Sequence, residues 1–168
     1  MYRYLLDFKK LISQRYYTRK VRKMCKRCGS DLKVNGKSQV TGNTILGNHV
    51  NFNGLRIYGN GRVKIGNYFH SGIECLFITS FHDYESDFIP YGYQYRHKNI
   101  SIGDCVWLGN RVIYLGGICI GEGAIIQAGS VVVSDIPSCA IAGGAPARVF
   151  KYRNKEHFYK LKQEKRFH

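Results

Sequence analysis

The sequence carries six histidines, the residues best suited to moving protons near neutral pH, at positions 49, 70, 82, 97, 157 and 168. His82 stands out by its surroundings. It lies near the start of the stretch 79–99, TSFHDYESDFIPYGYQYRHKN, with Asp83 beside it and Glu85, Asp87 and Arg96 further on. Tyr84, Tyr91, Tyr93 and Tyr95 are interleaved. A neutral imidazole, with an ordinary pKa of about 6.5, can take a proton from an attacking group at physiological pH. Rings and carboxylates in the same loop suit the apolar face and the hydroxyls of a sugar, and Tyr84 is a candidate for that contact. Asp83 is placed to orient either the imidazole or an acceptor hydroxyl, although a backbone carbonyl serves the imidazole equally well. His70, in Asn67-Tyr-Phe-His70, falls inside a regular repeat and reads as a lining residue.

Metal chemistry has less support. His49, His70, His82 and His97 are separated by 21, 12 and 15 residues, so no closely spaced pair begins a three-histidine zinc site. Cys25-Lys-Arg-Cys28 has half of a zinc-ribbon spacing, and nothing downstream supplies the other half. No metal is expected. The six cysteines (25, 28, 75, 105, 119 and 139) read as thiols of a cytoplasmic protein, because the opening MYRYLLDFKK lacks the apolar run of a secretory signal.

Charge narrows the partners. The 168 residues include 26 Lys+Arg and 11 Asp+Glu, a formal charge of +15. Residues 1–37 hold twelve basic and two acidic residues, a net of +10, and residues 150–168 hold seven and two, a net of +5. Residues 38–149 hold seven of each. A nucleic-acid reader would line its fold with cations, so no nucleic-acid partner is expected. An apolar content of 44% excludes a disordered chain.

What must position these side chains is a repeat. From Ile102 an apolar residue recurs every sixth position: Ile102, Leu108, Tyr114, Ile120, Ile126 and Val132. A second set follows four places after each: Val106, Val112, Ile118, Ala124, Ser130 and Ile136. A looser version runs upstream through Leu46, Phe52 and Tyr58, then shifts by one residue to Ile65, Ser71 and Phe77. A helix at 3.6 residues per turn would scatter a period of six around its surface. A short strand followed by a bend, with Gly or Asn supplying positive φ, accommodates it. Three such hexads per coil predict four to five coils stacked about 4.8 Å apart.

These residues resemble the hexapeptide-repeat acyltransferases, most closely the sugar O-acetyltransferases. The resemblance runs through Ile102-Gly-Asp-Cys-Val-Trp-Leu-Gly109 and Gly117 to Val133, and closes with Asp135-Ile-Pro137 and Ala142-Gly-Gly-Ala-Pro-Ala-Arg-Val149. It implies an all-β core, a left-handed parallel β-helix with a short N-terminal helix and a C-terminal helical tail. It implies acetyl-CoA as acyl donor and a sugar hydroxyl as acceptor, in surface polysaccharide biosynthesis. His82 would be the general base and Asp83 its neighbour in catalysis. Donor contacts would fall on Asn110, Ala128, Arg148 and Lys151, and acceptor contacts on Asn51, Trp107 and Tyr84. A homotrimer with sites shared between chains is implied as well. The alternatives are N-acetylation of an amino (nucleotide) sugar and a non-catalytic scaffold.

The expected organisation is a basic amphipathic segment at 1–30, a catalytic β-helix at 31–149 with the extended loop 79–99, and a basic tail at 150–168. Leu5, Phe8, Ile12 and Tyr16 recur at helical spacing among Arg and Lys. Such a stripe suits either packing against the β-helix or peripheral contact with an anionic membrane at its cytoplasmic face. The tail repeats the pattern with Tyr152, Phe158, Tyr159 and Leu161.

Overall fold

The computed structural model describes residues 2–168, with side chains from Phe8 onward. Both six-residue series point inward: the anchors Ile102 to Val132 and the partners Val106 to Ile136 are all buried. Each hexad therefore turns two side chains into the core. Successive anchors fall on three faces in rotation. Ile102 pairs with Ile120, Leu108 with Ile126 and Tyr114 with Val132, each on the next coil of the same face.

The first face stacks Arg27–Cys28, Thr44–Leu46, Val63–Ile65, Ile100–Ile102 and Ile118–Ile120 in parallel. The second stacks Lys33–Val34, Asn51–Asn53, His70–Ile73, Trp107–Leu108, Ile125–Ile126 and Ala140–Gly143. The third stacks Arg56–Tyr58, Leu76–Ile78, Ile113–Leu115 and Val131–Val132. Arg148–Tyr152 closes the second face as an antiparallel strand on Ala140–Gly143. The fold is a parallel β-helix of about six coils. That exceeds the four to five expected, because the chain from Arg27 onward already coils without the hexad pattern.

Glycine serves the fold in the way expected and in a second way as well. Coil corners do take positive φ: in one series at His49 (φ 55°), Tyr68 (54°), Cys105 (56°), Gly123 (68°) and Cys139 (60°), and in another at Gly54 (95°), Glu74 (57°), Arg111 (56°) and Gly129 (72°). The repeat glycines 47, 66 and 103 instead sit where coils meet most closely. A Cβ on Gly47, Gly66 or Gly103 would stand 2.7 Å from backbone of the next coil.

The stretch 79–99 is not structureless. Ser80–His82 pairs antiparallel with Tyr95–His97. This ribbon leaves the end of the third face and returns the chain to the first, so it projects from the corner opposite the second face.

Two helices flank the solenoid. Helix α1 spans Tyr2–Met24 and is the N-terminal helix expected. Val21 is buried, Tyr17 and Cys25 pack against the core, and the Val34 N–H donates to Thr18 Oγ1 at 3.1 Å. Leu5 lies outside the described side chains. Helix α2 spans Lys155–Gln163, and its N-cap Asn154 accepts from the His157 N–H at 2.9 Å. Phe158 is buried on Gly123, so the tail docks on the solenoid through part of the stripe that had also suited a membrane. Among the described residues no helix is long and apolar enough to cross a membrane.

Candidate active site

The second face carries a cleft of about 610 Å³. Trp107, Asn110 and Ala128, three of the residues singled out from the sequence, line it together. Coil stacking brings them there: Trp107 pairs with Ile125, and Ile125 with Ile141. These three side chains form an outward apolar row, with Trp107 half exposed. Asn110 is fixed at a corner, where its Oδ1 accepts from the Ile73 N–H at 3.0 Å. At Gly129 a Cβ would meet nothing within 4 Å, so the edge beside Ala128 is open. Lys151 pairs with Ile141 and Arg148 with Gly143, which sets both cations on the closing strand at the end of this face.

His70, read from sequence as a lining residue, lines the same cleft, together with Asn53 and Gln127, which did not stand out from sequence. His70 sits in register between Asn51 and Trp107. The Asn53 amide donates to the Ser71 carbonyl at 2.6 Å and lies 3.4 Å from His70 Nε2. Burial, and then the proximity of His168, lowers the pKa of His70, so its imidazole is held neutral. Asn51 is on the face but outside the cleft lining, with its Oδ1 accepting from the Asn35 amide at 2.9 Å. The signal that could have placed His70 was the register: once the inserted loop is subtracted, the hexads align it with Trp107.

A second cleft, of about 550 Å³, opens between the solenoid and α2 and is also edged by His70 and Trp107. Tyr68 stacks on Phe167 at 3.8 Å and on His49 at 4.6 Å beside it. Arg153 and Lys162 line it, and Lys162 pairs with Glu122. Among the described residues the buried Arg153 Nε has no hydrogen-bond partner.

His82 lies apart from both clefts, on the ribbon at the opposite corner. Its ring stacks on Tyr91 at 3.7 Å and tilts against Tyr95 at 4.5 Å. Asp83 pairs with Arg96 at 2.8 Å and accepts from the Glu85 N–H at 3.2 Å. Among the described residues no hydrogen bond joins it to the His82 ring, so Asp83 braces the ribbon. Tyr84 is largely exposed. Within one chain, therefore, the donor-side candidates come together, and His82, Asp83 and Tyr84 form a separate group.

Burial raises the thiol pKa of Cys75 and Cys105. Burial, and then the neighbouring Cys28, push Cys25 up to about 11, far from a thiolate at neutral pH. Among the described residues no group of three or more His, Cys, Asp or Glu is arranged to hold a metal ion.

A parallel β-helix with a tryptophan-edged cleft on one face and a basic closing strand at its end defines a hexapeptide-repeat protein. No family model matches the chain. It is 36% identical over 112 residues to the galactoside O-acetyltransferase of Lactococcus lactis, covering 67% of this chain and 53% of that protein. It is 41% identical over 64 residues to the Escherichia coli galactoside O-acetyltransferase, covering 36% of this chain and 32% of that one. The chain thus spans about half or less of these relatives' lengths. Among solved structures it resembles a galactoside acetyltransferase in complex with coenzyme A (TM-score 0.69, 25% identity, 82% of this chain and 70% of the other). It also resembles a Vibrio cholerae hexapeptide-repeat acetyltransferase complexed with acetyl coenzyme A (TM-score 0.68, 26% identity, 78% and 73%). Both likenesses, in sequence and in structure, are to acetyltransferases, and the Vibrio cholerae protein is one with hexapeptide repeats.

Proposed function

We propose that the protein transfers an acetyl group from acetyl-CoA to a hydroxyl of a sugar, with His82 as general base. The observation that carries this reading is the gathering of Trp107, Asn110 and Ala128 in one cleft, with Arg148 and Lys151 on the strand at its end. The apolar row and the open edge at Gly129 suit an extended pantetheine arm, and the two cations suit its phosphates. Acetyl-CoA supplies an activated thioester, so no acyl-enzyme is required. His82 removes the proton of the acceptor hydroxyl as that oxygen bonds to the thioester carbonyl carbon. It returns the proton to sulfur as the carbon–sulfur bond breaks, leaving an ester and a free thiol.

The site is shared between copies of the chain. His82 projects from the corner opposite the cleft, so the ribbon of one protomer faces the second face of its neighbour in a closed trimer. That arrangement also covers the outward row of Trp107, Ile125 and Ile141. Trp107 and His70 border the acceptor. The donor places the reaction in the cytoplasm, and a role in surface polysaccharide assembly rests on the closing motif Ala142–Val149 and its resemblance.

Thiol release from acetyl-CoA across free sugars, nucleotide sugars and amino sugars tests the reading. A hydroxyl acceptor is expected, with His82→Ala losing roughly a hundred- to ten-thousandfold in turnover. Transfer confined to amino groups, or full turnover by His82→Ala, would overturn it.

A further inference from the structure

We propose that the solvent-facing side of α1 docks on an anionic lipid surface. From sequence, its apolar stripe suited either the solenoid or a membrane, and the contacts decide between them. The residues that α1 lays on the solenoid are Tyr17, Val21 and Cys25, with Thr18 bonded to the Val34 backbone. Phe8, Ile12 and Tyr16 each lie nine residues before one of them. Nine residues are two and a half helical turns, so the stripe faces directly away from the solenoid. It is 61%, 52% and 60% exposed at these three positions.

Charge selects the occupant. Arg15, Arg19, Lys20 and Lys23 line one shallow groove with Ile12 and Tyr16 on that outward side. From Phe8 to Met24 the sequence has seven basic residues and no acidic one. Apolar and basic side chains thus share one side of the helix. A bilayer uses both: the rings and Ile12 enter the acyl boundary while the cations meet headgroup phosphates. A nucleic acid would use the cations and leave three large apolar side chains uncovered.

The test is flotation of the full chain with vesicles of phosphatidylcholine, with and without phosphatidylglycerol. Binding is expected only to the anionic vesicles, and to weaken with salt. Replacing Arg15, Arg19, Lys20 and Lys23 together by Gln should lower the partition coefficient by roughly a hundred- to a thousandfold. Phe8→Ser, Ile12→Ser and Tyr16→Ser combined should abolish binding while circular dichroism and the thermal midpoint stay unchanged, since all three side chains are exposed. Equal binding to neutral vesicles, no binding at all, or binding unaffected by either set would overturn the proposal. So would a smaller assembly in light scattering for the serine variant, which would mean that a second copy covers the stripe. Nucleic-acid binding that depends only on the four cations would overturn it as well.

Discussion

Mixing two inactive variants measures whether the site is shared. His82→Ala removes the proposed base and leaves the cleft intact. Ala128→Trp fills the open edge of the cleft and leaves the ribbon intact, because the two groups stand on opposite sides of the solenoid. Each variant alone has no complete site. In a closed ring assembled at random from equal amounts, a site needs a wild-type ribbon from one protomer and a wild-type cleft from the next. Each is present with a chance of one half, so about a quarter of the sites are intact. Co-refolding from denaturant and following thiol release should therefore restore about a quarter of wild-type turnover. If base and cleft came from one chain, every chain would carry a lesion and mixing would restore nothing. That result, with both variants folded and assembled, would refute the reasoning.

Two further outcomes follow from the packing and the charges. Gly103→Ala should destabilise the protein by on the order of 1–3 kcal/mol, because its Cβ would stand 2.7 Å from the Glu122 amide nitrogen; Gly42→Ala, where a Cβ meets nothing within 4 Å, should leave the thermal midpoint unchanged. His70 is held neutral by burial, so its contribution to stability is complete above the unfolded pKa of about 6.5 and is lost as pH falls toward its lowered folded value. In denaturation across that window, His70→Asn should show a flatter loss of stability on acidification; an unchanged slope would remove His70 as the source.

Much of the fold was legible because a period of six has few physical solutions. The two inward series from Ile102 to Ile136 were read correctly, since each position faces the same environment on every coil. The β-helix was expected from residue 31, but the hexad series did not reach its first coil, because Lys33 and Asn35 do not repeat the pattern and are held by pairing with the coil above. Glycine was read in part: bends such as Gly54, Gly123 and Gly129 do take positive φ, as expected, while Gly47, Gly66 and Gly103 answer the approach of neighbouring coils. Of the candidate site, the motif residues Trp107, Asn110 and Ala128 were legible. His70 was legible only as a lining residue and Asn53 not at all, because their neighbours depend on how the loop 79–99 and the one-residue shift near Tyr58 set the register.

The sequence alone determined the coil, the closing strand motif and the separation of charge into two ends, because each is written in local spacing or composition. Only the tertiary structure decided which residues share a cleft, that His82 stands across the solenoid from it, and which side of α1 is free. The reason is the same in all three cases. Stacking joins residues a coil or more apart in the chain, and the length of every insertion between them changes which side chains meet.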